Sequence, residues 1–112
     1  MSTASRRARE PNPAPVFAAL GDRTRLTLLR RLSDGRSRSI AALSQDTALT
    51  RQAVTKHLHV LENAGLVSSV RVGRESRFAF QAAPLEEARS YLEDVSRQWD
   101  DALSRLRAFV ED

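Results

Sequence analysis

The stretch TRQAVTKHLHVLENA begins at Thr50 and is followed directly by Gly65. Val54, Leu58 and Leu61 recur within it at spacings of four and three, which predicts a helix with one apolar face. Thr50 is suited to cap the start of this helix, and Gly65 is suited to end it in a left-handed conformation. The opposite face carries polar side chains with hydrogen-bond donors, which suit either plain solvation or contact with DNA. The neighbouring segments decide between these two interpretations.

The residues before this helix predict a helix-turn-helix motif. Ser39 can cap a short helix over residues 40–46, with Ile40 and Leu43 on its inward face. A short helix, a turn of about four residues and a longer helix with a polar face form the helix-turn-helix pattern. The longer helix, over residues of about 50–64, is then the recognition helix expected to enter a DNA groove.

Two further helices are predicted upstream. The apolar run VFAAL, which begins at Val16, predicts one or two helical turns. Asp22 then offers a cap for a second helix that continues to about Leu32. Leu26, Leu29 and Leu32 follow each other at a spacing of three and are predicted to face inward.

Alternating apolar residues after the recognition helix predict two strands. Val70 and Val72 lie two apart, as do Phe78 and Phe80, which is the pattern of half-buried strands. The residues GRES between them fit the tip of a hairpin. A hairpin over residues of about 67–82, placed directly after a helix-turn-helix motif, predicts a wing.

Arg71, Arg74 and Arg77 cluster on this predicted wing. A wing commonly lies along DNA, and three arginines beside a recognition helix favour contact with phosphates. The alternative interpretation is that these arginines only keep an exposed edge hairpin soluble.

The last predicted element is a long amphipathic helix over residues of about 85–110, with the apolar spacing of a coiled coil. At ~1.5 Å per residue it extends about 40 Å, farther than a core this small can cover. We therefore predict that a second copy of the chain covers it, with help from the first helix. The alternative is a helix folded back wholly onto its own domain. The residues predicted to form the dimer interface are Val16, Phe17, Leu20, Leu92, Val95, Trp99, Ala102, Leu103, Leu106 and Phe109.

The chain has 112 residues, which is enough for one domain with a modest core. Residues 1–14 combine arginines with alternate prolines and predict a disordered tail before a domain over residues 15–112. There is no cysteine, which excludes disulfides and thiolate metal sites. No apolar run approaches the roughly 20 residues that span a bilayer, and no apolar block follows the charged start, so a cytoplasmic protein is expected.

The net charge of +4 is unevenly distributed. Residues 1–82 contain 14 basic and 6 acidic residues, whereas residues 83–112 contain 4 basic and 8 acidic residues. The first part is therefore expected to attract a polyanion, and the last part is expected to be repelled by one. The sequence contains no nucleophile–base pair, no glycine-rich phosphate loop and no set of metal ligands, so an enzyme is not expected.

Two stretches, FAALGDRTRLTLLRRL from Phe17 and LTRQAVTKHLHVLENAGLV from Leu49, carry a resemblance to a known family. The first is similar to the opening of the ArsR/SmtB family of bacterial transcription repressors, and the second resembles the recognition helix of that family. The resemblance covers roughly residues 15–112. The segments PLEEA and QWDDALSRL of the last helix look most like the SdpR-type autorepressor branch, in which a long final helix with a central Trp is usual.

This resemblance implies a mainly α fold with a small β-hairpin (α+β). The expected architecture is a winged helix-turn-helix of about five helices with a two-stranded wing, which dimerises through its terminal helices. It also implies a bacterial homodimeric repressor that binds an inverted repeat in double-stranded DNA, often near its own promoter, and is nucleoid-associated when bound. The alternative function is a winged-helix module for protein contacts or for non-specific DNA packaging.

Many members of the family release DNA on binding a metal, and here the sequence departs from the pattern. The thiol pair of the arsenic and cadmium sensors aligns with Ser39 and Ala41, neither of which supplies a thiolate. The zinc sensors use carboxylates and histidines on the last helix, but no histidine follows His59. His57 and His59 face different ways on a helix and cannot chelate together, so His57 is expected to pack or to cap. No metal and no other cofactor is expected, and the residues identify no effector.

The residues that the sequence assigns to DNA form two groups. Those expected to reach base edges are Arg51, Gln52, Thr55 and Lys56. Arginine pairs with guanine and glutamine with adenine in the geometry that the major groove favours. Those expected to contact phosphate or to act from the wing are Ser39, Thr50, His59, Arg71, Arg74 and Arg77.

Overall fold

The computed structural model of the protein describes residues 12–45 and 47–111. In chain order its helices and strands are α1 Ala14–Leu20, α2 Arg23–Leu32, β1 Arg38–Ser39, α3 Ile40–Ser44, α4 Arg51–Asn63, β2 Val67–Val72, β3 Glu75–Phe80 and α5 Ala83–Glu111. The described residues thus form five helices and a wing hairpin, which confirms the predicted winged helix-turn-helix fold. The tail predicted over residues 1–14 lies mostly outside the described residues, and Ala14 already begins α1.

The hairpin is part of a three-stranded antiparallel sheet in the order β1-β3-β2. Val67 faces Phe80 at the base of the wing, and Val72 faces Glu75 at its tip. The third strand, β1, pairs Arg38 with Phe78 on the other side of β3. Only two strands were predicted, because two residues are too few to produce a visible alternation in the sequence.

The register corrects one prediction about the wing. Val70 and Val72 were expected to be half-buried, but they are 44% and 47% exposed. In β2, the residue on the core side is Val67, and Val70 lies an odd number of positions from it. Since side chains alternate between faces, Val70 and Val72 occupy the outer face of the hairpin.

The core lies between α2, α3, α4 and the base of the wing. Its fully buried side chains are Leu28, Leu32, Leu43, Val54, Leu58, Leu61 and Leu66. Leu26 was predicted to face inward, but it is 49% exposed. The buried stripe of α2 contains Leu28 instead, because at 3.6 residues per turn a strict spacing of three drifts around the helix.

The last helix, α5, has 29 residues and therefore extends about 43 Å at ~1.5 Å per residue. Its contact with the domain is confined to its first turns, where Ala88 is buried and the ring of Tyr91 lies 6.0 Å from that of Phe17. Farther along, Trp99 is 65% exposed and Phe109 is 81% exposed. The helix therefore does not fold back onto its own domain. Within the described part of the chain, no helix combines the length and apolarity needed to cross a membrane.

Candidate nucleic-acid interface

The recognition helix α4 begins and ends where the sequence predicted. Thr50 Oγ1 accepts a hydrogen bond from the N–H of Ala53 at 3.1 Å and so caps the first turn. Gly65 has a φ of +78°, and the N–H groups of Gly65 and Leu66 donate to carbonyls of the last turn, both at 2.9 Å. This Schellman arrangement requires a left-handed residue, which glycine adopts without steric strain.

The two faces of α4 are sharply different. Its apolar residues Val54, Leu58 and Leu61 are fully buried. The exposed residues of the other face include Arg51, Gln52, Lys56 and His59. Within the described part of the chain, no hydrogen bond or ion pair engages these four side chains. Their donors are therefore open to an external partner.

Thr55 differs from the other residues predicted to reach bases. It is half-buried, and its hydroxyl donates to the carbonyl of Arg51 at 2.7 Å. The hydroxyl proton is thus held within the helix, and what Thr55 can offer outward is an acceptor lone pair or its methyl group. A methyl group suits the C5-methyl of thymine.

The three wing arginines divide into two groups. Arg71 and Arg74 are exposed near the tip, where Gly73 takes a φ of +61°. Arg77 is half-buried, and its Nη2 donates to the carbonyl of Ser37 at 3.3 Å. Arg77 therefore ties β3 to the segment before β1, and the open cations of the wing are Arg71 and Arg74.

Several other arginines of the first part of the chain also hold backbone carbonyls. Arg31 donates to the carbonyls of Leu43 and Ala42 at 2.6 and 3.0 Å, at the end of α3. Arg38 donates to the carbonyl of Arg31 at 2.7 Å. The excess of basic residues in this part of the chain therefore overstates the positive charge that faces outward.

Arg38 also forms a two-pronged ion pair with Asp34, at 2.9 and 2.8 Å. The hydrogen bond from Arg38 holds the pKa of the Asp34 carboxyl well below its usual range, and the backbone N–H of Arg36 adds to this effect. This pair lies in the connection between α2 and β1.

Ser39 caps α3, as the sequence predicted. Its side-chain oxygen accepts from the N–H of Ala42 at 3.1 Å. The predicted helix over residues 40–46 is shorter in the structure, ending at Ser44, and Asp46 lies outside the described residues. Ser39 is half-buried, so a contact with phosphate through its hydroxyl stays a prediction.

His57 packs against the start of α2. Its Nδ1 lies 3.4 Å from Nη1 of Arg25 and 3.7 Å from Oδ2 of Asp22, and its side chain is 25% exposed. Asp22 caps α2 by accepting from the N–H of Arg25 at 3.0 Å. That hydrogen bond is the main reason that the pKa of Asp22 is lowered. Among the described residues, no group of three or more His, Asp or Glu side chains is arranged to hold a metal ion.

The residues predicted for the dimer interface lie on two elements, α1 and α5. Val16 is 5% exposed and packs in the core of its own protomer, so little of its side chain is accessible to a second subunit. Phe17 and Leu20 are half-buried beside it. On α5, Val95 is half-buried, and the exposed members of the set are Leu92, Trp99, Ala102, Leu103, Leu106 and Phe109.

The roles of two residues in this region, Arg25 and Glu62, were not predicted from the sequence. Arg25 follows the helical spacing of the buried residues Leu28, Leu29 and Leu32, and its place on that stripe was the available signal. Glu62 lies near the end of α4 and accepts a hydrogen bond from Ser69 of the wing, a contact that sequence spacing alone does not reveal.

Comparison with known proteins agrees with this geometry. Residues 20–70 match a family model described as a helix-turn-helix domain. The chain is 41% identical over 81 residues to the HTH-type transcriptional regulator YuzN of Bacillus subtilis, covering 67% of this chain and 88% of that protein. It is 31% identical over 100 residues to the HTH-type transcriptional regulator Rv2034 of Mycobacterium tuberculosis, covering 89% and 90%. An ArsR-like transcriptional regulator from Rhodococcus sp. RHA1 superposes with a TM-score of 0.76 at 39% identity, over 87% of this chain and 91% of that structure.

Proposed function

This chain belongs to the ArsR family of winged helix-turn-helix transcriptional regulators, and we propose that it acts as a homodimeric repressor that reads an inverted-repeat operator. The chain is a DNA-binding transcriptional regulator.

The observation that carries the proposal is the polar face of α4. Arg51, Gln52 and Lys56 are exposed, and no partner within the described residues engages them. A long polar side chain loses conformational entropy when it is ordered, so it stays mobile until a partner fixes it. The major groove offers acceptors for the guanidinium of Arg51 and both a donor and an acceptor for the amide of Gln52.

The wing supports the same arrangement from the side. Arg71 and Arg74 extend from the hairpin that directly follows α4, and both are exposed. Contacts between arginines and phosphates add affinity for any DNA sequence and weaken as salt rises. In this arrangement, base contacts from α4 supply specificity, and phosphate contacts from the wing supply affinity for any DNA.

The apolar seam of α5 supports a dimer. Trp99, Leu103 and Leu106 are 65%, 53% and 59% exposed along one protruding helix. An exposed apolar surface of this extent is typical of a site of association. A second copy of α5 with the same seam would cover it by two-fold symmetry, and two-fold symmetry would place two recognition helices in successive major grooves, about 34 Å apart.

Repression would follow when the bound dimer occupies DNA that polymerase needs, and the first operator to examine is the region upstream of the gene itself. The experiment is selection of bound duplexes from a random pool, with the full chain as bait. An inverted repeat with half-sites about one helical turn apart would support the proposal. Enrichment of no sequence would instead favour non-specific packaging or a protein-contact module.

A further inference from the structure

Arg25, in the first turn of α2, links three elements of the fold. Its Nε donates to the carbonyl of Ala19 at 2.7 Å, and its Nη2 donates to the carbonyl of Ala18 at 3.3 Å. Its Nη1 lies 3.4 Å from Nδ1 of His57. One side chain therefore contacts the C-terminal carbonyls of α1 and the middle of the recognition helix.

In the contact between Arg25 and His57, only Arg25 can be the donor. A guanidinium has donors and no acceptor, so Arg25 can bond His57 only while Nδ1 is unprotonated. Lysine could not replace it fully, because an ammonium at the end of one stem cannot match the planar fork of a guanidinium. Asp22 fixes the backbone at Arg25, since its carboxylate accepts the N–H of Arg25 at 3.0 Å.

The position of His57 makes the contact relevant to DNA. His57 follows Thr55 and Lys56 on α4, between the exposed face and the buried face. The helix is continuous over 13 residues, so a shift at His57 moves Arg51 and Gln52 with it. Hydrogen bonds to base edges are lost when the helix shifts by much less than the length of a side chain. Contacts with phosphate tolerate such shifts better.

We infer that Arg25 is a positioning residue for DNA reading, which holds the recognition helix against the end of α1 through His57. The inference rests on the proposed reading role of α4 and gives Arg25 a role without any contact to DNA. Because α1 also carries Phe17 and Leu20 of the proposed dimer surface, the same side chain connects the reading helix to the subunit contact.

The test compares Arg25→Gln with Arg36→Gln. Both substitutions remove one positive charge. Arg36 is exposed, and its side chain makes no hydrogen bond within the described residues, so Arg36→Gln controls for the loss of charge alone. Each is titrated against a duplex that carries the selected operator and against a random duplex of equal length. We expect Arg25→Gln to bind the operator about ten-fold more weakly than Arg36→Gln, because a charge-assisted hydrogen bond is lost. Binding to the random duplex, and its salt dependence, should be the same for both.

A second pair of variants examines the route through His57. His57→Leu removes the acceptor, whereas His57→Gln retains one in its amide oxygen. We expect His57→Leu to lose operator affinity as Arg25→Gln does, His57→Gln to keep most of it, and the double variant Arg25→Gln/His57→Leu to lose little more than either single variant.

Three results would overturn the inference. One is equal operator binding by Arg25→Gln and Arg36→Gln, another is full additivity of Arg25→Gln with His57→Leu, and the third is equal binding by His57→Leu and His57→Gln. Thermal unfolding by circular dichroism checks each variant, and if Arg25→Gln does not fold, the His57 pair decides the question. A parent protein that does not prefer the operator to random DNA would contradict the proposed function itself, whatever the variants do.

Discussion

Ser69 Oγ on β2 donates to Glu62 Oε2 near the end of α4 at 2.8 Å, so the wing is hydrogen-bonded directly to the recognition helix. The Schellman turn between them adds a second constraint, because the N–H of Leu66 donates to the carbonyl of Leu61 at 2.9 Å. The two surfaces that we propose to contact DNA are therefore held at one relative angle by a short, bonded connection.

Ser69→Ala should loosen this angle without unfolding the domain. The bond is exposed, so its loss should lower the free energy of unfolding by only about 0.5 kcal/mol. Operator affinity should fall several-fold, because base and phosphate contacts would no longer form together. Ser68→Ala is the matched control, since Ser68 lies on the same strand and bonds Gln81 instead of α4. Fluorescence anisotropy titrations that give equal affinities for the two variants would show that this bond does not orient the wing.

Arg74→Ala should weaken DNA binding without affecting stability, whereas Arg77→Ala should mainly lower stability. Arg74 is exposed, so its removal should leave the melting temperature unchanged and lower the slope of log K against log salt by about 0.9 per protomer. Arg77 bonds the carbonyl of Ser37, so its removal should lower the free energy of unfolding by about 1–2 kcal/mol. Denaturant titration and salt-dependent binding measure the two effects. A stable Arg77→Ala protein with the reduced salt slope would place Arg77 on DNA instead.

Leu103→Glu should convert the protein from dimer to monomer. Leu103 belongs to the exposed seam of α5, and a carboxylate there would face the partner helix without a counter-ion. Ser104→Glu places the same charge one residue away, off the seam, and should leave the dimer intact. Light scattering on a sizing column gives the mass, and Trp99 emission should shift to the red only in Leu103→Glu. A monomeric parent, or a dimeric Leu103→Glu protein, would exclude pairing through α5.

Acid should destabilise the parent more than Asp22→Asn. The hydrogen bond from the N–H of Arg25 lowers the pKa of Asp22 in the folded state. A lowered pKa contributes stability that is present above the unfolded value of about 3.9 and is lost as the pH falls through the folded value. Asparagine also caps helices well but does not titrate there. Melting temperatures between about pH 5 and pH 2 should therefore fall more steeply for the parent, and parallel curves would show that the charge of Asp22 does not matter.

Most of the fold was predictable because its signals are local. Thr50 and Gly65 bound α4 through capping rules, and Val54, Leu58 and Leu61 repeat at helical spacing. Predictions of which face of a helix or strand a residue occupies were less accurate. Leu26 and Val70 were assigned to the wrong faces, since a shift of one position moves a side chain from the core to solvent.

The candidate site was predictable in its exposed residues and not in its supporting ones. Arg51, Gln52 and Arg74 carry open donors that composition and position already indicate. Residue type alone does not distinguish Arg25 and Arg77 from them, yet their guanidinium groups bond carbonyls, Arg77 at a separation of 40 residues from its partner. Which arginine faces solvent and which faces a backbone carbonyl is decided by packing, which depends on contacts between segments far apart in the chain.

The central claim is that the exposed face of α4 reads bases, and Gln52→Ala tests it most directly. The parent and the variant are titrated against the selected operator, against operators changed at one base pair and against random DNA. We predict that Gln52→Ala loses roughly 1–3 kcal/mol of operator affinity, tolerates substitution at one base pair of each half-site and binds random DNA as the parent does. Unchanged affinities for both operator and random duplexes would contradict the assignment of α4 as the reading helix.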